Sequence, residues 1–268
     1  MTNERTILPW YTEGPVERNG YIFFTTLAGG TIMRLDRASG ELVDWAKGHK
    51  PNGQVVLPNE DHLVCDSGNA SISRYDRSGA LIAYDVVDEC AGQKVRCPND
   101  LTHDSEGGVY FTDSVRETGN VYYYHPDGTQ CVLAENLDFP NGIALSLDER
   151  VLFIAESYKN RILFLPLASS GVAVGKWEVF AELPENSDPN GYSLPDGIRY
   201  RADGTLWVAH YGMQAVQVLN ENGRLLKTCP MDFPLPSNLC FADDHLVVTG
   251  GSAEPGPGGL RMMMIPKI

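Results

Sequence analysis

The amino-acid sequence predicts an all-β protein, a six-bladed β-propeller with four antiparallel strands in each blade and a ring closed by the N-terminal strand. Three observations lead to this prediction. A short strand-like run recurs six times, further strand-like runs accompany each copy, and the last copy lacks a strand that the start of the chain can supply. Four short strands in a repeat of about 43 residues match the size of one propeller blade.

The most regular run is rich in β-branched and aromatic residues and is bounded by Gly or Asp, which is typical of a strand. Its six copies start 41, 46, 43, 54 and 40 residues apart. They are GYIFFTT from Gly20, DHLVCD from Asp61, GGVYFTD from Gly107, RVLFIAE from Arg150, GTLWVAH from Gly204 and DHLVVTG from Asp244. A second strand-like run, such as TIMRLD from Thr31, follows each copy, and a third run follows all but the last.

Another strand-like run precedes each of these copies and is predicted to be the innermost strand of its blade. The copies are TEGPVE from Thr12, PNGQVV from Pro51, PNDLTH from Pro98, PNGIAL from Pro140, PDGIRY from Pro195 and PSNLCF from Pro236. In a propeller the innermost strands surround the central channel. The first residues of these six runs are therefore expected to meet at one mouth of the channel.

The sixth unit ends at Ile268 without an outer strand. The segment TILPWY, Thr6 to Tyr11, precedes the first repeat and has strand character. We expect it to pair with the strand near Leu260 to Ile265, because closure removes an exposed sheet edge. Residues 1–268 would then form a single domain. The alternative of two small β domains requires a linker between them. The SDPNGY stretch near Asn190 is typical of a long loop and not of a linker.

Composition narrows the range of partners. A formal net charge of -14 disfavours binding to nucleic acid or to an anionic membrane, because phosphate repels an acidic chain. The first residues lack the apolar core of an export signal, and no apolar run approaches the roughly 20 residues of a membrane helix. We therefore expect a cytoplasmic protein with reduced cysteines, either a monomer or a small homo-oligomer. The sequence leaves open whether Cys90 and Cys97 form a disulfide bond.

The innermost runs place an oxygen-bearing side chain at equivalent points near the channel axis. These residues are Glu13, Asn52, Asn99, Asn141, Asp196 and Ser237 or Asn238. Turn chemistry explains Asn, Asp and Gly at a strand start, but it does not explain Glu13. Two carboxylates and several amide carbonyls form a hard oxygen site that suits calcium, magnesium or manganese. The charge of -2 on Glu13 and Asp196 matches one divalent ion.

The strands that follow should end at the same mouth, because neighbouring strands are antiparallel. They end at Asp66–Ser67, Asp113–Ser114, Glu156–Ser157 and His210–Tyr211. We expect Asp113 and His210 to contact substrate or to support the site, although a strand-end turn or a solvated histidine would explain them as well. Asp196 is the candidate general base, because it is the channel carboxylate other than Glu13. The chain has no GxSxG motif, which argues against a serine hydrolase.

These motifs resemble one family, that of senescence marker protein (regucalcin), gluconolactonases and luciferin-regenerating enzyme. The resemblance runs from about Trp10 to Ile265. Its motifs are Glu13-Gly14-Pro15, Pro98-Asn99-Asp100, Phe111-Thr112-Asp113, the run from Phe139 to Leu145, and Pro195-Asp196-Gly197-Ile198. The resemblance implies a six-bladed propeller with one divalent metal in the channel, held by Glu13, Asn141 and Asp196, with Asn99 near metal and substrate.

The same resemblance implies a metal-dependent lactonase that hydrolyses a sugar lactone or a similar cyclic ester. Calcium is the expected ion, and zinc, manganese, magnesium or iron could replace it. Some members carry a substrate-contacting arginine two residues before the equivalent of Asn99, where this chain has Cys97; the nearest arginine is Arg96. This chain also has Cys65-Asp66-Ser67 where bacterial gluconolactonases often have Cys-Glu-His. The alternatives are a calcium-dependent phosphotriesterase of the same fold and a non-catalytic metal-binding propeller.

Overall fold

The computed structural model describes residues 4–268, which form 27 β-strands and one short 3-10 helix, Ser157–Lys159. The first nine strands are β1 (Glu4–Leu8), β2 (Thr12–Arg18), β3 (Tyr21–Thr26), β4 (Thr31–Asp36), β5 (Leu42–Lys47), β6 (Pro51–Val56), β7 (His62–Asp66), β8 (Ser71–Tyr75) and β9 (Leu81–Val87). The next nine are β10 (Glu89–Cys90), β11 (Gln93–Lys94), β12 (Pro98–His103), β13 (Val109–Asp113), β14 (Gly119–Tyr124), β15 (Gln130–Leu137), β16 (Pro140–Leu145), β17 (Val151–Glu156) and β18 (Arg161–Ser169). The last nine are β19 (Val172–Ala173), β20 (Glu178–Glu182), β21 (Leu194–Tyr200), β22 (Leu206–Tyr211), β23 (Ala215–Leu219), β24 (Leu225–Pro230), β25 (Leu235–Ala242), β26 (His245–Gly251) and β27 (Gly258–Met264).

The strands form six antiparallel sheets, which confirms the predicted six-bladed propeller. From the channel outward the blades are β2-β3-β4-β5, β6-β7-β8-β9, β12-β13-β14-β15, β16-β17-β18-β20, β21-β22-β23-β24 and β25-β26-β27-β1. Strand β19 adds a short hairpin to blade 4, and β10-β11 forms a separate hairpin between blades 2 and 3. The treatment of residues 1–268 as one domain stays a prediction.

The two ends of the chain close the ring within blade 6. Strand β1 pairs antiparallel with β27, and Thr6 lies opposite Leu260. The predicted closing strand is therefore in place, but it covers Glu4–Leu8 and not Thr6 to Tyr11. Its end is set by Pro9, which lacks the N–H that a longer ladder would need.

Six hydrophobic clusters seal the six boundaries between neighbouring blades. One cluster packs Ile22 and Phe24 of blade 1 against Val247 of blade 6, and the others join successive pairs of blades in the same way. The core is therefore a set of inter-sheet layers. All six cysteines are free, so the Cys90–Cys97 bridge is absent. Within residues 4–268, no helix has the length and apolar character needed to span a membrane.

Candidate metal and substrate site

The innermost strand of every blade carries a bulge at the same position. The register shifts directly after the predicted axis-facing residue, for example between Pro140 and Ile143 in blade 4 and between Pro195 and Ile198 in blade 5. A bulge bends a strand and re-aims a side chain. The six side chains at this position are all buried, with exposures of 8% or less: Glu13, Asn52, Asn99, Asn141, Asp196 and Ser237. Asn238, the alternative at the sixth position, lies one residue beyond the ring position.

Hydroxyl groups tie these strand starts to the neighbouring blade. The hydroxyl of Thr25 donates to the carbonyl oxygen of Asn52 at 2.9 Å, and the hydroxyl of Thr112 donates to that of Asn141 at 2.7 Å. Ser157 donates in the same way to Pro195 at 2.7 Å. These bonds join one blade to the next across the channel mouth, so the axis-facing residues are held by the whole ring.

Two carboxylates share this buried mouth. Burial, with the nearby charge of Asp100 as the next cause, raises the pKa of Glu13 to about 8. Burial also raises the pKa of Asp196, with the charges of Glu13 and Glu254 as the next causes, while a hydrogen bond from Asn141 opposes the shift. Two acidic groups that repel each other in a dry place form a site that favours a cation.

The donor set fits a hard divalent ion. The side-chain oxygen of Asn52 is buried and lacks a hydrogen-bond partner, so it is available as a ligand. The amide nitrogen of Asn141 donates to the hydroxyl of Ser157 at 3.2 Å, which orients the amide. No group of three or more His, Cys, Asp or Glu side chains within residues 4–268 is arranged to hold a metal. A metal here would therefore need amide oxygens beside Glu13 and Asp196, which is typical of calcium rather than zinc.

A cavity of about 290 Å³ opens above this part of the mouth. Its lining includes two of the predicted ligands and one wall of aromatic rings: Phe139, Asn141, Ser157, Tyr158, Tyr192, Leu194, Asp196, Tyr211 and Glu254. The backbone of Phe139 has φ 64, an uncommon value for a bulky residue, and its ring meets Tyr158 edge to face at 5.6 Å between centroids. The cavity is large enough for a small cyclic ester beside a metal ion.

Glu254 is a lining residue that the sequence interpretation missed. It lies in the loop at 252–257, between β26 and β27, on the same side as the other strand ends at the mouth. A signal was available. The rule that second strands end at the mouth also places the loop that follows β26 there, and this loop carries one carboxylate, Glu254.

Two of the predicted substrate-binding residues, Arg96 and Asp113, form an ion pair with each other. The guanidinium Nε of Arg96 donates to the Asp113 carboxylate at 2.9 Å, and the backbone N–H groups of Arg96 and Cys97 donate to the same carboxylate. Asp113 is fully buried. The pair therefore fixes the chain that leads into Asn99, and neither residue lines the mouth cavity.

His210 is also placed away from the cavity. Its ring is fully buried, with one nitrogen 2.9 Å from the side-chain oxygen of Asn160 and the other 3.3 Å from the amide nitrogen of Gln217. Tyr211, the next residue, faces the cavity instead. Asn99 occupies its ring position in blade 3 and is 8% exposed. The roles predicted for Asn99, Arg96, Asp113 and His210 stay predictions.

Comparison with known proteins places this geometry in one family. The SMP-30/Gluconolactonase/LRE-like region matches residues 11–252. Lactonase drp35 of Staphylococcus aureus (strain USA300) is 28% identical over 266 residues, covering 88% of this chain and 79% of that protein. The structure of a gluconolactonase from Xanthomonas campestris superposes with a TM-score of 0.82 at 25% identity, covering 96% of this chain and 87% of that one. Regucalcin from Agrobacterium tumefaciens, a calcium-binding protein, shares the fold with a TM-score of 0.80 at 19% identity, over 97% of this chain and 91% of that one. Because the family match spans most of the chain, this protein belongs to the SMP-30/Gluconolactonase/LRE-like family.

Proposed function

We propose that this protein is a metal-dependent lactonase that opens a sugar lactone or a similar cyclic ester in the mouth cavity. The observation that carries the proposal is the pair of buried carboxylates, Glu13 and Asp196, on a ring with amide side chains, of which Asp196 and Asn141 line a cavity of about 290 Å³. The names of the relatives, lactonase and gluconolactonase, support a hydrolase that acts on lactone esters.

The proposed cofactor is one divalent ion, with calcium first. Glu13, Asn141 and Asp196 would hold it, and the unpartnered oxygen of Asn52 lies on the same ring. The calcium-binding neighbour of the same fold supports this choice. When bound, such an ion would supply Lewis acidity toward the ester carbonyl.

The chain's own residues would perform the remaining work. Asn99 would donate an amide N–H to the substrate carbonyl oxygen, which gains negative charge as water adds to the carbonyl carbon. Asp196 would accept a proton from that water. The ring C–O bond would then break, and Asp196 would return the proton to the leaving oxygen to give the hydroxy acid. The aromatic wall would hold the ring of the lactone and limit the entry of bulk water.

We also propose a reducing, cytoplasmic compartment and no nucleic-acid partner. Six free cysteines support the first proposal, and the net charge of -14 supports the second.

The test compares two variants of the axis ring. Asp196→Ala removes a charged ligand from a site that has two, so metal affinity and turnover should both fall. Asn99→Ala removes a neutral amide, so most metal affinity should remain while kcat falls by about 100-fold, as for loss of an oxyanion donor. Calcium titration by calorimetry and hydrolysis of a lactone panel should be measured for both variants.

Two outcomes would contradict the proposal. If Asp196→Ala hydrolyses lactones at the parent rate, the mouth is not the catalytic site. If the parent binds calcium but opens no lactone, a binding protein is the better account, and turnover of a paraoxon-like panel would instead indicate a phosphotriesterase.

A further inference from the structure

Glu254 occupies a position between two cavities. It lines the mouth cavity, and it also lines a neighbouring cavity of about 350 Å³ together with Tyr11, Lys50 and Pro255. Glu254 is exposed, whereas Glu13 and Asp196 below it are buried. A molecule that approaches the axis ring through the mouth cavity therefore passes this carboxylate first.

A group of tyrosines surrounds Glu254. Tyr211 meets Tyr192 and Tyr11 edge to face, with ring centroids 5.9 Å and 6.4 Å apart. Burial raises the pKa of Tyr211, and the nearby charge of Glu254 is the next cause of that shift. Tyr211 and Glu254 both line the mouth cavity.

The described residues that line the mouth cavity include two carboxylates, Asp196 and Glu254, and no Lys or Arg. Two cations lie close behind the wall. Arg116 stacks on the ring of Tyr158 at 3.6 Å and pairs with Asp138 at 2.5 Å, and Lys159 lies 4.0 Å from the same carboxylate. Both cations therefore have an anionic partner outside the cavity.

A third cation, Lys50, lines the neighbouring cavity with Glu254 and does not line the mouth cavity. Arg199, which lies nearer to Glu13, pairs with Asp100 at 3.1 Å. A divalent ion on the axis ring would balance the two charges of Glu13 and Asp196. Glu254 would then leave a net negative charge at the entrance.

We propose that Glu254 is a specificity-determining residue that makes the site favour uncharged lactones over lactones that carry a carboxylate or a phosphate. This inference rests on the proposed lactonase function. A like charge held near an anionic substituent raises the free energy of the bound complex, while a neutral ring with hydroxyl groups can donate hydrogen bonds to the same carboxylate.

The experiment uses two substrates of matched shape. D-glucono-1,4-lactone ends in a CH₂OH group where D-glucaro-1,4-lactone carries a carboxylate. The parent should prefer the neutral lactone, and added salt should reduce the preference. Glu254→Gln removes the charge and keeps the shape and the polarity of the side chain. The substitution should raise kcat/KM for the anionic lactone by about three- to tenfold by lowering its KM. It should change kcat/KM for the neutral lactone by less than about twofold.

Two further variants serve as controls. Glu221→Gln makes the same charge change in the turn between β23 and β24, on the opposite face, and should leave the preference unchanged. Lys50→Met removes the cation beside Glu254 and should not favour the anionic lactone. The proposal is overturned if Glu254→Gln leaves the preference as it is, or if the parent prefers the anionic lactone and Lys50→Met abolishes that preference.

A binding measurement separates this inference from the proposed function. D-glucono-δ-lactam and D-glucaro-δ-lactam differ by the same group and are not opened as esters. Calorimetric binding of this pair to the parent and to Glu254→Gln reports charge selection even when no lactone is hydrolysed. Hydrolysis failure with a preserved lactam preference would reject the lactonase and keep Glu254 as the selecting residue. Lactone turnover with equal binding of both lactams would keep the lactonase and reject Glu254 as the selecting residue.

Discussion

Glycine follows the axis-facing side chain in four of the six blades because neighbouring inner strands approach closely there. A Cβ on Gly142 would lie 2.6 Å from the backbone nitrogen of Ile198 and 2.7 Å from the Cα of Gly197. Both atoms belong to the strand that carries Asp196. The Asn-Gly and Asp-Gly pairs therefore serve two purposes, with the first residue turned to the axis and the second leaving room for the next blade.

Gly142→Ala should consequently displace the inner strand of blade 5. We expect a loss of about 3 kcal/mol in the free energy of unfolding, because backbone atoms cannot move aside cheaply. Calcium affinity should fall as well, since Asp196 moves with its strand.

Gly128→Ala is the control: its φ of 98 is strained for alanine, but nothing lies within 4 Å of the added atom. It should cost about 1 kcal/mol and leave calcium affinity unchanged. Denaturant unfolding and calcium titration check both, and equal calcium affinity in the two variants would refute the argument.

The ring position of the candidate ligands could be predicted at this scale, whereas the hydrogen-bond partners of Arg96 and Asp113 could not. A polar residue at one position of six repeated strands predicts a ring of side chains without knowledge of the loops. The partners of Arg96 and Asp113 depend on the path of the loop between β11 and β12, which no periodicity describes. In the structure that path places Arg96 on Asp113.

The second strands of the blades act as supports for the loops that lead into the inner strands. Asp66 accepts hydrogen bonds from the backbone N–H groups of His49 at 2.8 Å and Lys50 at 2.9 Å, and Glu156 accepts one from Asp138 at 2.8 Å. The alternation of strands correctly predicts that these residues lie at the mouth. It does not reveal that the carboxylates of these residues accept hydrogen bonds from backbone N–H groups, because those N–H groups belong to irregular loop segments.

His210 is the equivalent support in blade 5, and it gives the fold a dependence on pH. Burial lowers its pKa from the usual 6.5 to about 4. The unfolded chain therefore takes up a proton first as the pH falls. The contribution of His210 to stability is complete above pH 6.5 and is lost progressively as the pH falls toward 4.

His210→Gln should remove this dependence. Over the window from pH 6.5 to 4, the free energy of unfolding of the parent should decline by about 3 kcal/mol more than that of the variant. His125→Gln is a control of opposite sign, because hydrogen bonds to Asp127 and to the backbone of Glu106 raise the pKa of that half-buried histidine. Urea unfolding at several pH values measures the slopes, and parallel slopes for the parent and His210→Gln would contradict this account.

At the scale of the whole molecule, the repeats were sufficient to predict the ring. Six copies of one pattern leave one missing strand, and the chain supplies it at the other end. Glu254 was missed because its loop belongs to the blade that is shared between the two ends. Its neighbours in space, Tyr11 and Lys50, come from other blades and lie far from it in sequence.

Closure of the ring also positions Glu13, the first proposed metal ligand. The hydroxyl of Thr12, next to Glu13, donates to the carbonyl oxygen of Gly259 at 2.5 Å and accepts from the backbone N–H of Gly250 at 3.0 Å. The hydroxyl of Ser237 donates to the carbonyl oxygen of Thr12 at 2.7 Å. Blade 6 therefore holds the strand of Glu13, and β1 covers the outer edge of that blade.

Deletion of residues 1–8 should for this reason weaken the fold and the proposed metal site together. The deletion exposes the edge of β27 and removes Leu8, which packs against the cluster between blades 6 and 1. We expect Tm to fall by about 10 °C or more, with weaker calcium binding and concentration-dependent association through the free edge.

Ile7→Ala is the matched control, because Ile7 is 66% exposed and its backbone pairing is unaffected; it should match the parent in Tm and in calcium affinity. Calorimetry with and without calcium tests both. A truncated chain that melts earlier but binds calcium as tightly as the parent would show that blade 6 holds Glu13 without help from β1.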